Sequence, residues 1–279
     1  MNKLRAYIYN IIPKKYRNSL GKSKVLKPLR DVFFRTKSGF RELQVPVEKC
    51  YGKYEVSFQF VSSIQIATKA KKKGIETRLL NNSIRILQQS RPRLANDYII
   101  ADVGANFGYL SLVWSQTVCN QGKVYAFEPH PNLFAAIQKS IAVNKLENSI
   151  TPTNVAVGKQ KGSIAISLAS TTSNTKEGEV GEAQLKSKAT IQMITIDEYF
   201  MDFERLDFIK IDVDGIELDI LQGAEEILAR LKPIVVVETN GNTDLLEFFN
   251  QRNYTILNME LNTFDMQKEL PLNIFCVPN

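Results

Sequence analysis

From residue 98 onward the chain repeats one unit, a short apolar run followed by a longer segment whose apolar residues recur every three or four positions. No other feature constrains the fold as tightly. Strands buried on both faces read as continuous apolar runs, and helices on both sides of a parallel sheet are what cover them. Strands are expected at Tyr98 to Val103, Lys123 to Phe127, near Ile150 to Val157, at Phe208 to Ile211 and at Ile234 to Val237. Helices are expected at Tyr109 to Cys119, on the stripe Leu133, Ile137 and Ile141, and on Leu218, Leu221, Ile227 and Leu228. Two last runs, Tyr254 to Leu257 and Asn273 to Val277, are close enough to pair antiparallel. The expected class is α/β with a doubly wound sheet. A polar stretch from Ala169 to Ser187, between the runs Ser163 to Leu168 and Thr190 to Ile196, reads as a solvated loop joining edge strands or as a lid.

The first 75 residues carry weaker signals. Leu4, Ile8, Ile11 and Ile12 stand at helical spacing before Pro13, Val56, Phe58 and Phe60 alternate as in a half-buried strand, and Leu80, Ile84 and Leu87 form one helical stripe. The division expected is a basic N-terminal region over 1–75 and one large domain over 76–279. Charge supports an asymmetry: residues 1–93 hold 22 Lys/Arg against 5 Asp/Glu, a balance of +17, and residues 94–279 hold 14 against 24, a balance of −10. The longest apolar runs, such as Ile234 to Val237, fall far short of the ~20 residues a membrane span takes. The basic start lacks the apolar core and cleavage site of a signal peptide and reads as retained. Cys50, Cys119 and Cys276 are odd in number and widely spaced, which suits thiols in a reducing, cytoplasmic compartment rather than a disulfide framework.

The run Asp102-Val103-Gly104-Ala105-Asn106-Phe107-Gly108 lies where a strand turns into a helix. Glycines there permit close backbone approach, and a helix start offers free N–H groups to a small ligand. A dinucleotide fingerprint needs a middle glycine where Asn106 stands. The acidic Asp102 suits a ligand bearing an ammonium better than a pyrophosphate, and S-adenosylmethionine fits. Glu128, in Phe127-Glu128-Pro129-His130-Pro131, ends the next strand, where a carboxylate is placed to take ribose hydroxyls. Its other reading is a first-turn charge favoured by the helix dipole.

At this point the sequence resembles the FkbM-type family of S-adenosylmethionine-dependent methyltransferases. The resemblance rests on Asp102 to Gly108, Phe127 to Pro131, Asn154-Val-Ala-Val-Gly158 and Thr195-Ile-Asp197. Above all it rests on Lys210-Ile-Asp-Val-Asp-Gly-Ile-Glu217 with Leu221-Gln-Gly-Ala224 and Pro233 to Glu238. It covers roughly residues 95–278, and the ordered series is more specific than any one motif. Asp214 departs from the family, which usually shows Glu there. The resemblance implies a class I, Rossmann-like methyltransferase sheet with an antiparallel last strand. It also implies methyl transfer to oxygen, commonly a sugar hydroxyl of a glycan or glycosylated metabolite.

On this reading Asp102, Gly104, Ala105, Asn106, Gly108, Glu128, His130 and Asn154 bind the cofactor. Asn154 would meet the adenine edge with donor and acceptor, or else is a turn residue. Asp212, Asp214 and Glu238 converge from strand ends as the catalytic carboxylates. They would orient and deprotonate an acceptor hydroxyl or, with Asn240 beside Asp212 and Glu238, hold Mg²⁺, which the motifs allow without requiring. Glu217 reads as a helix-start charge and Lys210 as a salt bridge or clamp. His130, the single histidine, borders the cofactor more readily than it serves as base.

The acceptor expected is a carbohydrate-type hydroxyl compound, which an acidic group would suit given the basic N-terminal region. That region also raises nucleic-acid methylation, but the acidic catalytic half and the lack of an Asn-Pro-Pro-Tyr-like motif speak against it. A catalytically silent interaction module is the third class, against which the intact glycine turn and acidic strand ends argue. The apolar stripe and lysines of residues 1–28 suit peripheral contact with a membrane surface.

Overall fold

The computed structural model describes residues 2–13, 16, 35–36, 39–92, 96–168 and 188–279. The stretch Ala169 to Ser187, expected as loop or lid, and the lysines and arginine between 14 and 27 other than their sequence lie outside the described residues. The elements in chain order are α1 (Asn2–Ile11), β1 (Arg35–Thr36), β2 (Gly39–Phe40), β3 (Glu42–Tyr51), β4 (Tyr54–Ser63), α2 (Ile64–Lys73), α3 (Thr77–Ser90) and β5 (Ile99–Val103). They continue with α4 (Tyr109–Ser115), β6 (Lys123–Phe127), α5 (Pro131–Asn144), β7 (Ile150–Thr153), β8 (Ala156–Val157), β9 (Gly162–Ser167), β10 (Lys188–Ile194) and α6 (Ile196–Tyr199). The last are β11 (Phe208–Ile211), α7 (Glu217–Gln222), α8 (Glu225–Arg230), β12 (Ile234–Glu238), α9 (Asp244–Gln251), β13 (Tyr254–Leu257) and β14 (Asn273–Pro278).

All four residues of β11 are buried, which is what a central parallel strand demands. Around it a seven-stranded sheet runs in the order β13-β14-β12-β11-β5-β6-β7. β7, β6, β5, β11 and β12 are parallel, and β14 runs antiparallel to both β12 and β13. The expected reversed last strand is therefore β14. Strand order turns back between β5 and β11, so the carboxyl ends of these two strands border the crevice where ligands of such sheets bind. Period-2 alternation divides the core. Ile100, Val124, Phe208 and Val236 face one apolar layer with α3, α4 and α5, and Val103, Phe127, Ile209 and Val237 face another with α7, α8 and α9.

The N-terminal hairpin β3–β4 belongs to the first layer. Leu43, Val47, Phe58 and Phe60 share one core with Tyr109, Trp114 and Ile137. Among the described residues this core draws side chains from both sides of residue 75. The outer edge of β4 is closed by side chains. Gln116 exchanges two hydrogen bonds with the Ser57 backbone, both 3.0 Å, Asn144 does the same with Gln59 at 2.8 and 2.7 Å, and Ser140 Oγ accepts from Val61 N at 3.0 Å. Unpaired ladder groups on a covered edge would each cost a hydrogen bond. These side chains fix the hairpin to α4 and α5, beside the crevice. A separate three-stranded sheet, β8-β10-β9, stands over the end of β7.

Candidate active site

At the end of β5 the chain turns through Gly104, Asn106 and Gly108, all with positive φ. The space that each glycine leaves is taken by protein. A Cβ on Gly104 would lie 2.0 Å from the carbonyl oxygen of Asp212, and one on Gly108 would lie 3.1 Å from Ile137. The missing side chains let β5 close against β11 at Gly104 and α4 against α5 at Gly108, while the Gly104 backbone lines the cavity described below. Ala105 N, with Gly104 N, donates to Phe127 O at 3.0 and 3.1 Å and ties the turn to β6.

Glu128 is buried and braces the same turn. Its Oε2 accepts from Asn106 N at 2.7 Å and its Oε1 from His130 N at 2.8 Å. Burial pushes its carboxyl up to about 7, and the N–H groups of His130 and Asn106 and the ammonium of Lys210 oppose that only in part. His130 is buried, and its Nδ1 accepts from Asn132 N at 3.2 Å, capping α5 ahead of Pro131. Asn154 donates to the carbonyls of Glu128 and Pro129 at 2.8 and 2.9 Å. These bonds tie the end of β7 to the turn after β6. Neither His130 nor Asn154 lines the cavity described below, and in the structure each supports the Glu128 turn.

Lys210 is the charge centre. Its Nζ donates to Gly104 O at 2.7 Å and Val103 O at 3.2 Å, and pairs with Asp102 at 3.4 Å and Asp212 at 3.6 Å. Burial alone would discharge it, but Asp212, Asp102 and Glu128 override burial and hold its proton above the usual lysine value. Asp102 is fully buried, and its other oxygen accepts from Ser111 Oγ at 2.5 Å. In the structure it is a counter-ion of Lys210 at the cavity wall.

Asp212 is held below the usual carboxylate range by the Lys210 ammonium, with its side chain 46% exposed. Glu238, at the end of the neighbouring strand, shares a hydrogen bond with it and is pushed up to about 7 by burial and then by Asp212. Asp214 has φ 63 and is raised by burial and by the charges of Asp212 and Glu217. Glu217 is more than a helix-start charge. Buried, its Oε1 accepts from Gly215 N at 2.9 Å and from Asn240 Nδ2 at 2.8 Å, joining the turns after β11 and β12. Asn240 thus donates its amide nitrogen to Glu217. Among the described residues no group of three or more His, Cys, Asp or Glu is arranged to hold a metal ion.

A cavity of about 240 Å³ opens between these groups. Asp102, Gly104, Ala105, Asn106 and Glu128 line it, with Lys210, Asp212 and Asp214. Further walls, which the sequence did not mark as site residues, come from Val155 just before β8 with Ile164 and Ile166 of β9, and from Ile66, Ile75 and Glu76 of α2 and the turn after it. Signals for both existed in the period-2 Ile164 and Ile166 and in Gly74 between two helical stripes. That turn is held by Tyr51 and Tyr109, whose hydroxyls are 2.8 Å apart and pack against Gly74.

A sheet of this order with a reversed β14, and a polar crevice at the turn-back of its strands, defines a Rossmann-like, class I methyltransferase. The chain belongs to the Methyltransferase FkbM domain family, which matches residues 102–256, more than half of it. It is 25% identical to Methyltransferase sdnD of Sordaria araneosa over 178 residues, 52% of this chain and 68% of that protein. It is also 25% identical to Hexuronic acid methyltransferase AglP of Haloferax volcanii over 150 residues, 53% of this chain and 58% of that protein. Among solved structures, methyltransferase FkbM from Methylobacillus flagellatus KT superposes with a TM-score of 0.46 at 19% identity, over 68% of this chain and 46% of that one.

Proposed function

We propose that the protein transfers a methyl group from S-adenosylmethionine to a hydroxyl of a carbohydrate-type acceptor. The observation that carries this reading is the hydrogen-bonded pair Asp212–Glu238, next to Lys210, at the strand ends where Asp212 enters the cavity. The lining fits the cofactor in kind: Glu128 would take ribose hydroxyls, and Val155, Ile164 and Ile166 would flank the adenine. When bound, S-adenosylmethionine supplies an electrophilic methyl group on a positively charged sulfur.

The chain's own task is to orient the acceptor and take its proton. The Asp212–Glu238 pair would take the acceptor's hydroxyl proton as the methyl group passes from the donor's sulfur, which keeps the bonding pair, to the acceptor oxygen. Below about pH 7 Glu238 holds a proton and shares it with Asp212. Above that pH both are ionised, and their repulsion makes the pair a base matched to neutral conditions. Alignment of the two reactants supplies much of the remaining acceleration.

An acidic cluster repels a carboxylate acceptor and accepts a hydroxyl donor, which favours ether over ester formation. The likeness to a hexuronic acid methyltransferase of Haloferax volcanii supports an acceptor of the sugar class. The test is transfer of labelled methyl from S-adenosylmethionine into fractionated glycans, glycolipids and metabolites, followed by alkali. Label retained through alkali in a sugar fraction is the expected result. Label released by alkali indicates a carboxyl ester, and absence of label from every sugar fraction refutes the proposal.

A further inference from the structure

Five of the nine large apolar side chains exposed among the described residues fall in the first sixteen: Leu4, Tyr7, Ile8, Ile11 and Tyr16. Leu4, Tyr7, Ile8 and Ile11 are 62, 65, 36 and 63% exposed and stand at i, i+3, i+4 and i+7 of α1, so they form one stripe along the helix. The stripe is not a core face waiting for its own chain. α1 already rests on α2 and β3, Tyr9 packs against the hydrophobic core, and Asn10 Oδ1 accepts from Lys72 Nζ at 2.8 Å.

Charge says what covers the stripe. The first 30 residues contain nine Lys/Arg and no Asp or Glu, and α2, which carries α1, ends in Lys71, Lys72 and Lys73. A second copy of the same surface would set cation against cation. A nucleic acid would satisfy the lysines and leave the leucine and isoleucines in water. A surface anionic at its boundary and apolar just beneath matches both features, and an anionic lipid bilayer is such a surface.

We propose that α1 docks the protein on anionic membranes, with Leu4, Tyr7, Ile8 and Ile11 entering the headgroup boundary and the lysines that end α2 against the headgroups. None of the stripe residues lines the cavity, and the inference does not rest on the acceptor proposed above. One structural consequence follows from continuity: α2 carries Ile66 and leads into Ile75 and Glu76, three residues of the cavity wall, so a docked α1 holds that wall near the lipid surface.

The test is co-sedimentation of the full chain with phosphatidylcholine vesicles with and without phosphatidylglycerol. Binding should be at least about tenfold stronger to the anionic vesicles and should fall at high salt, where the Debye length shrinks to about 3 Å. Leu4→Asp with Ile11→Asp should weaken binding about tenfold or more. Lys71→Gln with Lys73→Gln reads the charge separately and leaves the stripe intact. Both variants should bind S-adenosylmethionine like the parent in calorimetry, which keeps a failure here distinct from a failure of the methyltransfer reading. Equal binding to both vesicle types, no binding to either, or undiminished binding by the Leu4→Asp/Ile11→Asp chain overturns the proposal. So does light scattering that shows a dimer dispersed by that variant.

Discussion

Glu128→Gln tests the carboxyl proposed to take the cofactor's ribose hydroxyls. The carboxyl is buried, accepts two backbone N–H groups and is raised from 4.5 to about 7. At about 1.36 kcal/mol per pH unit, that displacement corresponds to ~3 kcal/mol. The folded protein binds this proton more tightly than the unfolded chain, so Glu128 destabilises the fold progressively as pH rises from 4.5 to about 7. Glutamine never ionises, but it turns an amide donor toward one of the two N–H groups, a loss of about 1–3 kcal/mol. The variant should therefore be weaker than the parent at about pH 5 and should draw level with it or pass it by about pH 8. Urea unfolding across that range reads the difference. Parallel stability curves would show that Glu128 is not raised and would refute the reasoning. Calorimetry at the alkaline end should find S-adenosylmethionine binding weaker by about tenfold to a hundredfold, the cost of losing a charged acceptor.

Asp212→Asn should lower turnover by about 10²–10⁴ and leave cofactor affinity unchanged, and a variant that turns over normally removes Asp212 from the chemistry. Parent turnover should rise with pH through about 7 as Glu238 gives up its proton, and a rate flat from acid to neutral pH counts against the pair as base. Chelator treatment should not abolish activity, since Lys210 at 3.6 Å already compensates Asp212, and activity lost to chelator and restored by Mg²⁺ would replace the acid–base reading with a metal. Lys210→Met strands Asp102 as a buried unpaired charge and should cost about 3–5 kcal/mol in denaturant unfolding. Gly104→Ala sets a Cβ 2.0 Å from the Asp212 carbonyl at a residue with φ +74, so it should cost more than about 3 kcal/mol or prevent folding, and a stable Gly104→Ala protein would show that the turn is not packed this way.

The parallel strands were legible because each is a buried run flanked by period-3.6 helices, and β6 and β11 occur where the pattern puts them, at Lys123–Phe127 and Phe208–Ile211. β3 is harder to read because Pro46 stands within the alternation of Leu43, Val45 and Val47 and Lys49 continues their buried face, so the strand finds its meaning only opposite β4. The helix expected on Leu218 to Leu228 is two helices, α7 and α8. They break at Gly223, where a Cβ would lie 2.3 Å from the Gly158 carbonyl. That contact joins segments far apart in the chain, and no local pattern announces it. The same limit governs the glycine turn: sequence marks where side chains are absent, but only packing decides whether protein or ligand takes the space.

The charges show the limit most clearly, because Asp102, Glu128, Lys210 and Asp212 each read as a separate local feature. Folded, they are one system: a single buried ammonium compensates Asp102 and Asp212 and draws on Glu128, while Glu238 leans on Asp212. One cation among four carboxyl groups leaves surplus negative charge. Two processes relieve it, protonation of Glu128 and Glu238 near neutrality or the arrival of a cation in the cavity. They compete for the same charge, so a cationic ligand and the proton are linked. A site built this way favours a ligand that enters with a positive charge and holds it less well once that charge is gone, which is the difference between a sulfonium methyl donor and the neutral thioether it leaves behind.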